Sequence, residues 1–239
     1  KLLKTIISET AFAASTQESR PILTGVHLVL TNHKEFKAVA TDSHRMSQRK
    51  LTLDHSSDDF DVVIPSRSLR EFAAVFTDDI ESVEVFFSNS QILFRSEYIS
   101  FYTRLLEGNY PDTDRLLGNN FETEVVFNTN ALRYAMERAH LISNATQNGT
   151  VKLEIINNQV TAHVNSPEVG KVNEELDIES LSGNDLTISF NPTYLIEALK
   201  ALKSETVTIR FISPIRPFTL TPSDNSENFI QLITPVRTN

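Results

Sequence analysis

At 239 residues, with 40% apolar and 22% charged content, the chain is long enough for one large domain or two ordinary ones, and its composition is that of a soluble globular protein. It contains no cysteine, which excludes disulfides, thiolate catalysis and Cys-ligated zinc and suits a reducing, cytoplasmic setting. The formal net charge of −9 argues at first sight against a nucleic-acid partner, no apolar run approaches the roughly 18 residues of a membrane span, and no signal peptide opens the chain.

Apolar residues at helical spacing predict a first helix over residues 2–14. The strand Phe36–Ala40 then runs into a dense polar turn, Thr41-Asp42-Ser43-His44-Arg45, before apolar alternation resumes at Met46. Val63-Ile64-Pro65 reads as a strand end feeding a helix over residues 66–76, with Ser66 as its expected N-cap. Alternating strands follow at Val83–Phe87 and Tyr98–Thr103, and a small polar junction stands at Gly118-Asn119-Asn120. Beyond it come a strand at Thr123–Phe127, a helix over 131–142, and a helix over 192–203 with Asn191 as N-cap and Pro192 in the first turn. Strands Val207–Phe211 and Phe229–Thr234 close the chain.

The second half repeats the first. Leu2–Ala14 lies over Ala131–Ser143, Val63–Leu69 over Ser189–Leu195, Val83–Phe87 over Val207–Phe211, and Tyr98–Thr103 over Phe229–Thr234. The expected architecture is therefore α+β: two repeated domains, 1–118 and 119–239, each with two helices packed on antiparallel sheets and each itself a doubled helix-plus-strands unit. The second copy has a strand before its first helix and the first copy does not, and the chain does not open on Met. The first copy is expected to be missing its opening strand, and Lys1 is expected not to be the native start.

Charge is unevenly spread over these elements. The four expected helices hold Lys4, Arg67, Arg70, Arg133, Arg138, Lys200 and Lys203 against Glu9, Glu71, Glu137 and Glu197, a surplus of three positive charges that leaves about −12 for the rest. Such a split can hold a polyanion loosely on the helices while the exterior repels it. It also describes ordinary solvated helices with ion-pair partners.

Catalytic readings fare poorly. Asp42-Ser43-His44 contains the residue types of a hydrolase triad, but adjacent side chains diverge, and a triad needs groups converging from separated positions. A triad recruiting a remote partner to His44 stays open, without a Gly-x-Ser-x-Gly elbow to support it. The six histidines are dispersed and no Gly-rich phosphate loop is present, so no metal and no cofactor are expected. Asn144-Ala145-Thr146 and Asn148-Gly149-Thr150 are formal glycosylation sequons, better read as a polar helix-to-strand connection. A double-domain protein-interaction scaffold is the alternative from another class.

Four motifs on this duplicated framework carry a resemblance: Val39–Met46, Leu106-Glu107-Gly108-Asn109-Tyr110-Pro111-Asp112, the terminal Ile233-Thr234-Pro235-Val236-Arg237, and the repeated helix-and-strand units themselves. Together they resemble the bacterial DNA polymerase III beta subunit, the replicative sliding clamp, over that family's second and third domains. The resemblance implies a non-catalytic processivity factor, a head-to-tail homodimeric ring in the full-length protein with helices around duplex DNA. The fragment lacks the first domain and is not expected to close a ring. Implied partners are duplex DNA, the polymerase III alpha subunit, the clamp loader and other proteins with clamp-binding motifs.

By position in the family, Gln17, Arg20, Pro21 and Ile22 correspond to a DNA-touching loop, with Pro21 and Ile22 standing where tyrosines are common; Lys4, Arg67, Arg133 and Lys200 are the helical candidates. The family's peptide-binding pocket, between its second and third domains, would draw its apolar surface from Leu23, Met46, Pro111, Leu116, Met136, Tyr194, Ile215, Leu232, Ile233, Pro235 and Val236. Thr41, Ser43, His44, Arg45, Arg115, Asn191, Pro217, Thr234 and Arg237 would supply polar contacts and rim. Ser43 stands where the family often has Gly, Met46 where it often has Leu, and the chain ends in Thr238-Asn239 where some members end on an apolar residue.

Overall fold

A computed structural model describes residues 1–77, 80, 82–118, 120–143, 149–166, 170–224 and 228–237. The chain divides into two units, Lys1–Asp112 and Thr113–Asn239. This division falls ahead of the Gly118–Asn120 junction expected from the sequence, of which Asn119 lies outside the described residues. The reason is packing: Thr113 is buried, Asp114–Leu116 forms a 3-10 turn, and a Cβ on Gly118 would meet Ile212 Cδ1 at 2.6 Å. The segment after Asp112 thus belongs to the second unit, although its composition reads as a linker.

In the first unit, α1 (Leu2–Thr10) is followed by β1 (Gly25–Thr31), β2 (Glu35–Thr41), β3 (Arg45–Thr52) and β4 (Phe60–Pro65), then α2 (Ser66–Val75), β5 (Glu84–Phe87), β6 (Gln91–Arg95) and β7 (Ser100–Arg104). Antiparallel pairing gives the order β3-β2-β1-β4 in one sheet and β5-β6-β7 in another. The first helix stops short of residue 14: Thr10 Oγ1 donates back to the Ile6 carbonyl at 2.7 Å, and Ala11–Ala13 tightens into a 3-10 turn. Helix α2 starts on Ser66 itself, so Ser66 is not the N-cap. Pro65 holds the entry position, and the Ser66 hydroxyl accepts from Arg70 Nη2 at 3.1 Å. Ile6, Ile7, Leu69 and Phe72 of the helices meet Val26, Leu28, Leu30, Ala38, Ala40, Ile64, Ile92 and Phe94 of the sheets in one core.

In the second unit, β8 (Thr123–Asn128) precedes α3 (Thr129–Ser143), β9 (Val151–Ile156), β10 (Gln159–Ser166), β11 (Gly170–Glu175), β12 (Ser180–Gly183) and β13 (Leu186–Phe190). Helix α4 (Pro192–Ala201), β14 (Thr206–Phe211), β15 (Phe218–Pro222) and β16 (Phe229–Ile233) complete it. Its sheets run β11-β10-β9-β13 and β12-β8-β14-β15-β16, antiparallel throughout. Helix α3 begins before residue 131, because Asn128 Oδ1 accepts the Ala131 N–H at 3.0 Å. Asn191 caps α4 as its sequence suggests, Oδ1 accepting from Thr193 N at 2.9 Å, and the helix ends at Ala201, leaving Lys203 outside it. Residues 144–148 of the two sequons lie outside the described residues.

The α+β expectation holds in both units. Sheet β3-β2-β1-β4 has the same pairing order as β11-β10-β9-β13, and β5-β6-β7 the same as β14-β15-β16. The second unit adds β8 and β12 on the β14 side, and among the described residues the first unit has no counterpart to them.

Candidate functional site

The polar turn between β2 and β3 is a rigid structural hairpin. Asp42 organises it: Oδ1 accepts the N–H groups of His44 at 2.9 Å and Arg45 at 3.0 Å, while Oδ2 takes Arg45 Nε at 3.0 Å. The Thr41 hydroxyl donates to the Arg45 carbonyl at 2.6 Å and accepts from Ser43 N at 3.1 Å. Both Asp42 oxygens are therefore committed to the turn, where a triad would need one on an imidazole. Ser43 sits at φ +78°, the left-handed region that glycine occupies at least cost, which accounts physically for a glycine preference at this position. Its Oγ accepts from Arg20 Nη1 at 2.8 Å, tying the exposed Gln17–Pro21 segment to the hairpin.

Three supports of the hairpin lie far away in sequence, and the sequence reading missed all of them as parts of the site. Arg45 Nη2 donates to the Phe12 carbonyl at 3.0 Å, with the guanidinium 5.5 Å from the Phe12 ring centroid. The buried Thr41 N–H donates to the Tyr110 hydroxyl at 3.0 Å. Tyr110 stacks on His27 at 4.8 Å between centroids, and His27 Nε2 bonds Asp61 Oδ1 at 2.6 Å. Burial, helped by the Asp42 charge, pushes the Tyr110 phenol well above its ordinary value, against the opposing pull of the Thr41 N–H. The available signal was the Gly108-Asn109-Tyr110-Pro111 motif, which marked the position without stating that the phenol holds Thr41.

The apolar candidates divide by burial. In the first unit Leu23 and Met46 are buried and Pro111 is exposed. In the second unit Leu232 and Ile233 are buried, Tyr194 is half-buried against the core, and Leu116, Ile215 and Val236 are exposed at 49%, 64% and 40%. Met136 is fully buried in the second unit's core beside Leu132, Ala135 and Ala139 of its own helix, to the same degree as Met46 in the first unit. Asn191 commits Oδ1 to its helix cap. The tail from Thr234 to Arg237 leaves β16 half-buried to exposed, and the Val236 N–H donates to the Ser189 carbonyl at the end of β13 at 2.7 Å. Arg115 and Arg237 are exposed, Pro217 half-buried.

The helical cations carry partners. Arg67 pairs with Glu71 at 3.0 Å within α2, Arg138 of α3 with Glu174 of β11, and Arg133 with Glu137 at 3.1 Å; Lys200 of α4 reaches the same Glu137 at 3.2 Å. Partial burial works to raise the Glu137 pKa, but hydrogen bonds and charge from Lys200 and Arg133 prevail and hold it below the usual carboxylate range. Glu71 and Glu137 are already counted in the helical charge, so these pairs disperse the basic surplus without removing it, and Glu174 is the one partner named here that comes from outside the helices. Among the described residues no cluster of three or more His, Cys, Asp or Glu groups could hold a metal ion, and no helix is long and apolar enough to cross a membrane.

Comparison with known proteins gives these surfaces a family. Residues 1–112 match the family described as DNA polymerase III beta subunit, central domain, and residues 114–237 match its C-terminal domain. Both spans agree with the structural division after Asp112. The chain is 75% identical, over all 239 residues, to the beta sliding clamp of Streptococcus pneumoniae serotype 4, of which it covers 63%. The crystal structure of the beta subunit from DNA polymerase of Streptococcus pyogenes superposes with a TM-score of 0.97 at 81% identity, covering 99% of this chain and 64% of that one. The DNA polymerase sliding clamp of Bacillus subtilis does so with a TM-score of 0.94 at 40% identity, covering 100% and 63%. The chain spans about 63% of the length of the curated relatives it matches. It belongs to the DNA polymerase III beta subunit family, of which it carries the central and C-terminal domains.

Proposed function

We propose that this chain is the central and C-terminal portion of a cytoplasmic replicative sliding clamp, a processivity factor that makes and breaks no bond. The whole protein, on this reading, closes as a head-to-tail dimeric ring around duplex DNA, and the polymerase III alpha subunit, the clamp loader and other partners bind it through short linear motifs. The observation that carries the proposal is the 75% identity, without loss of any part of this chain, to a protein named a beta sliding clamp.

Processivity then comes from topology. Contacts to phosphates carry no sequence information, and weak ones let the ring travel. Lys4, Arg67, Arg133 and Lys200, with the Gln17–Ile22 segment, are the proposed DNA-facing groups; the ion pairs at Arg67, Arg133 and Lys200 favour weak attraction over tight hold. Partner motifs containing Gln and Leu/Phe are proposed to bind the hairpin surface of Thr41, Ser43, His44, Arg45 and Met46 with Leu23 and Pro111. In the second unit the proposed surface is Arg115, Leu116, Asn191, Tyr194, Ile215, Pro217, Leu232, Ile233 and the tail Thr234–Arg237. A peptide needs apolar anchoring area with a few fixed polar partners; the exposed Ile215 and Val236 of the second unit offer the first kind of surface, and the polar hairpin of the first unit offers the second.

Calorimetry with a Gln-x-x-Leu-Phe peptide tests the reading. Binding in the micromolar range is expected (about −8 kcal/mol at 1 μM), and deletion of residues 235–239 is expected to weaken it at least about tenfold. Unchanged affinity after the deletion would remove the tail from the site, and no binding by the intact chain would remove the peptide surface itself.

A further inference from the structure

A single oxygen of Glu137, Oε1, takes Arg133 of α3 at 3.1 Å and Lys200 of α4 at 3.2 Å. Arg133 is fixed further by Asn130 Oδ1, 3.4 Å from Nη2, and by the Tyr134 ring, whose centroid lies 4.3 Å from its guanidinium carbon. The three side chains keep 21%, 33% and 56% of their surface in solvent for Arg133, Glu137 and Lys200, so the group is reachable from outside. By contrast, Glu71 serves Arg67 from within one helix, and Glu174 serves Arg138 from a strand.

We infer that Glu137 sets the strength of the DNA contact on this unit by clasping Arg133 and Lys200 into one group of net charge +1. The inference rests on the clamp reading above and names the residue that keeps its phosphate contacts loose. Two unclasped cations would each neutralise a phosphate, and each neutralised phosphate steepens the dependence of log K on log salt by about 0.9. With Glu137 in place, a phosphate must displace its carboxylate to gain either cation fully, and the carboxylate repels the phosphate as it approaches. A shallow attraction of this kind is what movement along a duplex requires. Glu137 is a positioning residue in this role, because it acts through Arg133 and Lys200 and is not itself a DNA ligand.

The test is fluorescence anisotropy of duplex DNA with the 239-residue chain over a salt series, comparing wild type, Glu137→Gln and Glu84→Gln. The last variant removes the same charge from β5, where Glu84 pairs with Arg95 at 2.8 Å, and controls for net charge alone. E137Q is expected to bind about three- to tenfold more tightly at low salt, with a slope steeper by about 1, while E84Q changes affinity by less than about twofold. Acylation of the Lys200 amine by an N-hydroxysuccinimide ester, mapped by mass spectrometry, is expected to rise about twofold or more in E137Q, since loss of the carboxylate releases the amine from its ion pair. A purely structural role for Glu137 would move neither the slope nor this rate. Equal gains in E84Q and E137Q, or no gain in E137Q while wild type binds, overturn the role of Glu137 and leave the clamp reading standing. If neither wild type nor E137Q binds duplex at low salt, the DNA reading falls and this inference with it.

Discussion

Strands β5 and β14 occupy equivalent places in the two repeats, yet one is nearly naked and the other is at the centre of a sheet. Val85 and Phe87 of β5 are each 41% exposed, whereas the residues that match them, Ile209 and Phe211 of β14, are each 1% exposed. The sequences alternate alike; the neighbours differ. Strand β14 is paired on both sides, with β8 and β15, while β5 pairs only with β6 among the described residues. Under β5 lies an apolar cleft of about 600 Å³ that Leu3, Ile6, Phe36, Phe60, Val85 and Phe87 help to line. Alternation therefore identifies a strand and its inner face, but the adjoining strand decides whether that face is covered. The first repeat should accordingly be the weaker of the two, and its β5 amides should exchange with solvent well before those of β14.

The largest test of that difference is Phe72→Ala. Phe72 of α2 stacks on Phe76 at 4.3 Å, lies 4.5 Å from Phe94 of β6 and meets Phe101 of β7 edge-on at 6.0 Å, in the core beneath the sheet that β5 leaves open. The position matching it in α4 is Ala198, whose carbonyl takes Gln231 Nε2 at 3.0 Å. The first repeat thus concentrates in one ring the packing that the second spreads over several strands. Truncation should cost about 3–5 kcal/mol of the first unit's stability and split calorimetric melting into two transitions, the upper one unchanged. A single transition lowered as a whole would mean that the two repeats unfold together and that the comparison of their stabilities has no thermodynamic content.

Tyr110→Phe is the next effect in size and acts at the hairpin of the first repeat. Without the phenol oxygen the buried Thr41 N–H loses its acceptor, a cost of about 1–2 kcal/mol, read by urea unfolding. The native protein should also lose stability as pH rises above about 10, the ordinary phenol value. The sign follows from the raised folded pKa: the folded state holds a proton that the unfolded chain releases, so the contribution is full below the unfolded pKa and declines above it. The variant should lack that alkaline slope. If it instead keeps the slope, another group is responsible and Tyr110 is not the support the geometry makes it.

The repeated framework was legible because it rests on local period: helical spacing at Leu132, Met136 and Ala139, alternation in Val207, Ile209 and Phe211, and the Asn191-Pro192 cap. That same helical period puts Met136 on the core face, where it is buried. Pro65 hid the start of α2, since an extended proline can stand at the cap where a side-chain oxygen was expected. The supports of the Thr41–Met46 hairpin were out of reach. Tyr110 bonds Thr41 across 69 positions and Arg45 bonds Phe12 across 33, and no local pattern encodes such meetings. The chemistry of Asp42 was legible in kind but misdirected in use: a carboxylate two residues before a histidine suggests catalysis on paper, while in the turn both its oxygens go to the next residues' N–H groups and to Arg45.

The smallest expected effect is also the most discriminating, because both repeats carry an Arg–Glu pair across neighbouring strands. On β14, Arg210 Nε meets Glu124 of β8 at 2.6 Å and its Nη1 meets Thr221 of β15 at 3.0 Å, with the arginine side chain 25% exposed. On β5, Glu84 meets Arg95 of β6 at 2.8 Å, but there the arginine is 49% and the carboxylate 63% exposed. An ion pair that is half in water is screened and pays in side-chain entropy, so Glu84→Ala should change stability by less than about 0.5 kcal/mol. Arg210 joins three strands and holds a partner on each side, so Arg210→Ala should cost about 1 kcal/mol, confined to the second unit's transition. Equal costs for the two variants would show that neighbouring strands do not shelter the β14 pair, which would undercut the contrast at its source: then the exposure of Val85 and Phe87 would be a local matter of side chains, and not the consequence of a missing neighbour.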